Sequence, residues 1–338
     1  EIRKELIKKG YKFKSRTDSE VVLNSWVEWG ENCVQHFNGM FAFAIWDRKL
    51  NKMYLVRDRY GIKPLYYAQF GNIFLFGSEQ KAILSHPAAI KEIDLKGMLE
   101  YFTFQNIFTN RTLIKKIKLL PPATIATIKA SDSNSITLNS YWDYHFSEPR
   151  RKVNSNEYLE ELSRLIEKAV NRQIVTDVEL GSYLSGGMDS GTLTAIASKN
   201  LPYIKTFTCG FDLSSASGLE LAYDERVKAE EMSAIFKTEH YEMVLKSGDM
   251  ERCMPNFSYA LEEPRVGQSY PNYYIAGLAS KFVKVVLSGA GGDELFGGYP
   301  WRYYRASKNS TFDNYIEQYY NYWQRLLNND ELKKVFSP

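Results

Sequence analysis

The second half of the chain alternates short apolar stretches with amphipathic ones, and this alternation restricts the fold more than any other feature. From residue 156 onward, the spacing of apolar residues switches between that of strands and that of helices. It predicts strands over 179–184, 204–209, 239–244 and 284–287, and helices over 158–170, 191–199 and 224–236. Strands separated by helices need crossover connections, so we expect an α/β fold with a largely parallel sheet.

The first half has short strand patterns that follow one another through turns. Apolar runs predict strands over 40–46, 53–56, 64–67 and 73–76, and amphipathic stretches predict helices over 19–29 and 95–102. The polar run at 131–135 predicts a hairpin turn, and the stretch over 146–156 predicts an interdomain linker. Because 338 residues is long for a single core, we expect two domains. The first would be a sheet layered with helices, and the second, after the linker, would contain the parallel sheet.

Charge and cysteine usage exclude several classes of protein. The net charge of +3 is spread along the chain without a long basic block, so nucleic acid is not an expected partner. No apolar run approaches the ~18 residues of a membrane-spanning helix. The three cysteines (Cys33, Cys209 and Cys253) are odd in number and far apart, which argues against disulfides or a zinc site and favours a reducing, cytoplasmic setting.

The motif SGGMDS, residues 185–190, stands between a predicted strand and a predicted helix. In that position unpaired backbone N–H groups and the positive end of the helix point at an anion. Gly186 and Gly187 allow close approach to phosphate oxygens, and Ser185 and Ser190 add hydroxyl groups. The motif is neither a GxxxxGK[ST] phosphate loop nor a GxGxxG dinucleotide loop. A serine-glycine turn before a helix is the alternative interpretation.

Asp189 gives this loop a more specific meaning. A carboxylate among phosphate-binding groups would repel the phosphate unless a cation intervened, and Mg²⁺ bridges carboxylates to phosphates. The segment SGAGGDE, residues 288–294, repeats the pattern after another apolar strand and places Asp293 behind its glycines. Because ligands collect at the carboxyl ends of parallel strands, we expect Asp189 and Asp293 to flank one metal-bound polyphosphate.

Four segments in collinear order resemble the glutamine-dependent asparagine synthetase family. They are SGGMDS at 185–190, SGAGGDELFGGY at 288–299, RDRYGIKPLYY at 57–67 and GSEQKA at 77–82. The resemblance implies a partial N-terminal-nucleophile glutaminase domain of αββα layers over 1–145, the linker over 146–156, and an ATP-pyrophosphatase synthetase domain over 157–338.

The family's reaction then becomes an expectation for this chain. ATP would adenylylate the side-chain carboxylate of aspartate, and ammonia from glutamine would displace AMP, giving asparagine and pyrophosphate. The implied cofactors are ATP and Mg²⁺, and the implied partners are small molecules (glutamine, aspartate and ATP), with no nucleic acid or membrane and with a homodimer left open. Asp189 and Asp293 would hold Mg²⁺, and Asp18 would bind the amino group of glutamine. The implied ATP-binding residues are Leu184, Ser185, Gly186, Gly187, Asp189, Ser190, Cys209, Ser288 and Gly289.

The chain departs from the family at both of its ends. It begins at Glu1 inside a helical pattern, so the family's N-terminal Cys nucleophile is missing and we expect no glutamine hydrolysis by this fragment. It stops at Pro338, before a further helical region that the family carries. Asp18 has a second interpretation, as the N-cap of the helix that follows. A nucleotide-binding fragment without activity is therefore a further hypothesis.

Ala290 is the remaining departure, because the family usually has a carboxylate at this position. Alanine can neither accept a proton nor fix a charged substrate. Glu262, Glu263 or Glu294 would then have to compensate, although Glu294 also fits a helix start. Otherwise the chain would be a related ATP-dependent amidotransferase that acts on a carboxylate other than aspartate.

Overall fold

A computed structural model describes residues 1–147, 154–214, 224–264, 269–300, 311–324 and 326–336. These residues form two compact units, one of Glu1–Ser147 with Leu326–Pro338 and the other of Glu148–Arg325. The predicted linker over 146–156 falls partly on residues 148–153, which lie outside the described residues. Within the described ranges, no helix is both long and apolar enough to cross a membrane.

The first unit contains helices, one short 3-10 helix and two antiparallel sheets. Its helices are α1 (Ile2–Lys8), α2 (Asp18–Trp29), the 3-10 helix (Gly30–Gln35), α3 (Gln80–Leu84), α4 (Leu95–Phe104) and, from the end of the chain, α12 (Asn329–Phe336). Its strands are β1 (Ala42–Asp47), β2 (Lys52–Arg57), β3 (Tyr66–Phe70), β4 (Ile73–Gly77), β5 (Lys118–Leu119), β6 (Thr124–Lys129) and β7 (Asp132–Ser140). The strand orders are β1-β2-β6-β7 and β4-β3-β5.

Three apolar clusters show that these sheets form the middle of four layers. Successive strand residues point to opposite faces, so Tyr54 packs toward the cluster beside α2 while Leu55 packs toward the second sheet. In the second sheet, Tyr67 faces the first sheet and Tyr66 faces Ile83 of α3. The expected αββα arrangement is therefore confirmed.

One local prediction was wrong in its bounds. The polar run at 131–135 does lie in the hairpin between β6 and β7, but the turn takes only residues 130–131 and β7 begins at Asp132. The register between β6 and β7 shifts at Ile128 and Lys129, which marks an irregularity next to the turn. A polar sequence does not exclude an edge strand, because one side of such a strand has no neighbouring strand and is open to water.

The second unit is built on a four-stranded sheet in the order β10-β9-β8-β11, in which every pairing is parallel. Its strands are β8 (Leu180–Tyr183), β9 (Lys205–Phe211), β10 (Glu239–Leu245) and β11 (Val285–Leu287). Its helices are α5 (Ser155–Gln173), α6 (Met188–Asn200), α7 (Arg226–Phe236), α8 (Asp249–Leu261), α9 (Ser269–Ala279), α10 (Gly292–Phe296) and α11 (Phe312–Trp323). The predicted parallel sheet is confirmed.

Helices cover both faces of this parallel sheet. One cluster joins Val170 of α5 and Ala197 of α6 to Leu180 of β8. The other joins Ile275 of α9 to Phe207 of β9. A parallel strand covered on both faces is expected to be buried along its whole length. β9 is buried or half-buried at every residue, although it contains two threonines and begins with a lysine.

Candidate functional site

The strand order of the parallel sheet reverses at β8. The chain leaves β8 toward β9 and β10, and it later returns to the opposite side of β8 as β11. In parallel α/β sheets such a reversal opens a crevice beyond the carboxyl ends of the two strands. The two glycine-rich segments directly follow β8 and β11, so the topology brings them to this crevice.

The two segments touch each other, and glycine makes the contact sterically feasible. A methyl group on Gly289 would lie 2.7 Å from the amide nitrogen of Ser190 and 3.0 Å from Cβ of Asp189. A methyl group on Gly292 would overlap the carboxylate of Asp189. Asp189 therefore lies against two glycines of the second segment, and the two loops form one site.

Serine hydroxyls hold the shape of the first loop. The amide of Ser185 donates to Oγ of Ser190 over 3.0 Å, and the two Oγ atoms are 2.8 Å apart. The amide of Gly187 donates to Oγ of Ser185 over 3.1 Å. Ser190 is buried, so its hydroxyl is mainly engaged within the protein. These bonds fix the turn that leads into α6.

The N-terminus of α6 is left without a side-chain cap. Gly187 is the N-cap residue and has no side chain to accept a hydrogen bond. The first four N–H groups of a helix have no acceptor within the helix, and the helix end carries partial positive charge. The crevice therefore presents backbone donors and a positive helix end, which together suit a phosphate group.

Asp189 and Asp293 are both half-buried. Within the ranges that the structure describes, neither carboxylate accepts a hydrogen bond or forms an ion pair. Such oxygens are the ligands that Mg²⁺ takes, usually from one or two carboxylates together with substrate phosphates. Among the described residues there is no group of three or more His, Cys, Asp or Glu that could hold a metal alone. A metal here would therefore need water or phosphate oxygens as further ligands.

In the second loop a carboxylate makes most of the side-chain hydrogen bonds. Oε2 of Glu294 accepts from the amide of Gly291 over 3.1 Å, and its Oε1 accepts from the hydroxyl of Tyr299 over 3.2 Å. Gly291 has a φ of +104°, which disfavours other residues. The interpretation of Glu294 as a helix-start residue is confirmed. Ser288 and Ala290 are exposed in the same loop.

The other carboxylates considered as substitutes for the one missing at Ala290 lie elsewhere in the second unit. Glu262 ends α8 in the left-handed conformation, with a φ of +62°, and Glu263 follows it. Residues 265–268, which come next, lie outside the described residues. A role for Glu262 or Glu263 toward a substrate stays a prediction.

Leu184 directly follows β8, and Cys209 lies on β9. Leu184 is fully buried; its amide donates to the carbonyl of Phe207 over 3.0 Å, and its carbonyl accepts from the hydroxyl of Thr208. Cys209 lies on β9 beyond the last residue that pairs with β8, and burial raises its pKa to about 11. Their assignment to an adenosine site stays a prediction.

A lysine from outside both loops reaches the site. A methyl group on Gly186 would lie 2.7 Å from Cβ and 2.8 Å from Cδ of Lys228, so the stem of this lysine covers the first loop. Lys228 belongs to α7, one strand and one helix further along the chain. No sequence motif marks Lys228, and its contact with Gly186 depends on how α7 packs, so the sequence alone does not predict it.

In the first unit, Asp18 lines a cavity of about 580 Å³ together with Lys63, Ser78 and apolar residues of α2 and β1. The interpretation of Asp18 as a helix cap is wrong. Thr17 is the N-cap, its hydroxyl accepts from the amide of Glu20, and Asp18 is the first helical residue. The exposed Asp18 carboxylate has no hydrogen-bond partner or ion pair in the part of the chain that the structure describes.

The RDRYGIKPLYY motif supports one side of this cavity. The guanidinium of Arg57 donates to the backbone carbonyls of Lys63, Leu120 and Gly61. The buried carboxylate of Asp58 accepts from four backbone amides, those of Phe41, Tyr60, Ile62 and Lys63. The first two charges of the motif are thus used to fold the loop that carries Lys63.

Comparison with known proteins agrees with this geometry. The pattern that defines the asparagine synthase family matches residues 161–337, just over half of the chain. The pattern of the glutamine amidotransferase domain matches residues 1–142.

Several curated relatives match most of the chain. Asparagine synthetase [glutamine-hydrolyzing] 3 of Bacillus subtilis is 34% identical, over 97% of this chain and 55% of the relative. Putative asparagine synthetase [glutamine-hydrolyzing] 2 of Methanocaldococcus jannaschii is 36% identical, over 84% and 54%. Asparagine synthetase [glutamine-hydrolyzing] 1 of B. subtilis is 33% identical, over 88% and 46%. The chain thus spans about half the length of these relatives, and it belongs to the asparagine synthase family.

Proposed function

We propose that this chain carries the carboxylate-activating site of a glutamine-dependent asparagine synthetase. ATP would adenylylate the side-chain carboxylate of aspartate with release of pyrophosphate, and ammonia would then displace AMP to give asparagine. Membership of the family supports the class of reaction. The contact of Asp189 with Gly289 and Gly292 carries the proposal, because it joins two anion-binding loops into one site.

The crevice suits an ATP molecule whose α–β phosphate bond breaks. Charge grows on the departing pyrophosphate, and fixed donors stabilise such charge most where it develops. The uncapped start of α6 supplies those donors, and the hydrogen bonds between Ser185 and Ser190 keep them in place. The glycines leave room for phosphate oxygens near the backbone.

The carboxylates of Asp189 and Asp293 fit a magnesium ion. They are half-buried, and they have no protein partner among the described residues. A bound Mg²⁺ would neutralise part of the phosphate charge and hold the leaving group. The protein's own part is to aim two carboxylates from facing loops at the phosphate chain.

The nitrogen donor that this chain can use by itself is ammonia. A cysteine nucleophile must be a thiolate. Burial raises the pKa of Cys33 to about 12 and that of Cys209 to about 11, and it also raises the pKa of Cys253. Burial therefore disfavours the thiolate form of all three. Asp18, unpaired at the cavity of the first unit, is the residue that we assign to the amino group of bound glutamine.

The reaction itself is the direct test. The 338-residue chain is incubated with ATP, Mg²⁺, ammonium and aspartate, and pyrophosphate and asparagine are measured. We expect both products in equal amounts, with none when aspartate is omitted. Release of ADP and phosphate instead of AMP and pyrophosphate would overturn the proposal.

Ala290 favours a second candidate, in which the activated carboxylate is not that of aspartate. The exposed methyl group of Ala290 offers no charge, and Glu294 is engaged with Gly291 and Tyr299. Pyrophosphate release is therefore screened with sugar acids, peptides and β-amino acids beside aspartate. Stimulation by another acid and not by aspartate would select this candidate, whereas ATP binding without any pyrophosphate release would indicate a nucleotide-binding fragment.

A further inference from the structure

A basic side chain lies against the phosphate loop of the second unit. The stem of Lys228 crosses Gly186, at distances of 2.7 and 2.8 Å from the position of a methyl group on that glycine to Cβ and Cδ of the lysine. Gly186 leaves room for this stem, because any side chain there would displace it. The stem of Lys228 thus packs against the loop, although the residue belongs to α7.

The ammonium group of Lys228 is available to a ligand. Lys228 is exposed, and within the residues that the structure describes its side chain has no ion pair or hydrogen bond. The neighbouring basic residue of the same helix is different, since Arg226 is paired with Asp224 at 2.6 Å and also donates to the carbonyl of Phe211 over 2.8 Å. Arg226 therefore stabilises the fold through these contacts, whereas the charge of Lys228 is left for a ligand.

A positive side chain such as Lys228 would offset part of the negative charge in the crevice. Asp189 and Asp293 bring two negative charges toward a ligand that is itself highly negative, and a single Mg²⁺ would offset only part of the total. The start of α6 adds a partial positive charge equivalent to about half an elementary charge. A lysine beside this helix start would raise the affinity for phosphate oxygens through a charge-assisted hydrogen bond.

We propose that Lys228 binds the pyrophosphate portion of ATP and stabilises it as it departs. This inference rests on the proposed function, because it assigns a residue to the same site. It predicts recognition of the phosphate chain and not of the adenosine portion. The ligand class is a magnesium-bound polyphosphate or inorganic pyrophosphate.

The test is calorimetric binding of magnesium pyrophosphate and of adenosine to the 338-residue chain and its variants. Lys228→Met keeps most of the stem over Gly186 and removes the charge, and Lys228→Arg keeps the charge. We expect the first variant to bind pyrophosphate about tenfold more weakly, as for the loss of one charge-assisted hydrogen bond, and the second to stay within about threefold. Adenosine affinity should not change in either.

Lys199→Met is the matched control, since Lys199 is an exposed lysine in the last turn of α6, at the far end from the loop. It should bind pyrophosphate like the parent chain. If Lys228→Met stays within twofold of the parent, or if adenosine binding falls in parallel, the stem is only packing and the inference is wrong. The parent chain is also titrated with MgATP. If it binds neither pyrophosphate nor ATP, the proposed function fails as well, so the two failures are distinguishable.

Discussion

The two glycine-rich loops share a sequence pattern but are built differently. The first is closed by hydrogen bonds between buried or half-buried serines and leads into α6, a helix of 13 residues. The second is closed by Glu294 and leads into α10, which has only 5 residues and no buried residue. A short exposed helix contributes little rigidity or dipole. We therefore expect that, under the proposed function, the first loop is the fixed frame for the phosphate groups and the second adapts to them.

The largest effect is expected where the loops touch. Gly289→Ala would place a methyl group 2.7 Å from the amide of Ser190, so the backbone of one loop must move. We expect a loss of about 1–3 kcal/mol in stability, as for overpacking, together with at least tenfold weaker MgATP binding.

Gly277→Ala is the control for this change. Gly277 lies in α9, and a methyl group there would meet nothing within 4 Å. In a helix this exchange should be neutral or stabilising by up to about 1 kcal/mol. Thermal unfolding measures the stability of both variants, and calorimetry measures their affinity for MgATP. Equal ATP affinity in the two would show that the contact between the loops is dispensable.

The next largest effect is expected from removing the charges of Asp189 and Asp293, and it should differ between the two residues. Asp189→Asn removes the charge at the contact between the loops, whereas Asp293→Asn removes one that lies against Gly298, just after α10. We expect Asp189→Asn to weaken magnesium-dependent ATP binding more than tenfold and Asp293→Asn to weaken it less. Titrating Mg²⁺ at fixed ATP measures this, and the reverse order would make the second loop the primary metal ligand.

The serines test the framework directly. Ser190→Ala leaves the amide of Ser185 without its acceptor and should cost about 1–3 kcal/mol. Ser288→Ala removes the hydroxyl of an exposed residue, which among the described residues accepts from the amide of Ala290 over 3.3 Å and from no other group. It should change stability by less than about 0.5 kcal/mol. Denaturant unfolding of the two variants compares them, and equal losses would contradict the contrast between a fixed and an adaptable loop.

The smallest effect is expected at the start of α10. Glu294→Ala should cost about 0.3–1 kcal/mol, because the amide of Gly291 loses its acceptor. Glu294→Gln keeps an acceptor oxygen and should behave like the parent chain. Hydrogen exchange at the amide of Gly291 reports the change; unaltered protection in Glu294→Ala would mean that another group holds the loop.

Sequence patterns predicted the parallel sheet and the positions of both loops, because strand and helix periodicities are local properties. They did not predict the strand order, which places β11 next to β8 and depends on long-range pairing. For the same reason they did not predict the role of Lys228, because its contact with Gly186 depends on the long-range packing of α7. At Asp18 the error was a single position, since Thr17 and Asp18 are both good capping residues and the local sequence does not choose between them.

The position of β11 also bears on how the proposed site of the second unit forms. Its three residues pair with β8 from about a hundred positions further along the chain, so this contact carries a high closure entropy and is expected to form late in folding. The crevice exists only once that strand has docked. A nucleotide that binds it would hold the last strand in place, adding about 2.7 kcal/mol of stability when its free concentration is a hundred times its Kd. ATP would then act as a folding ligand for the unit as well as a substrate.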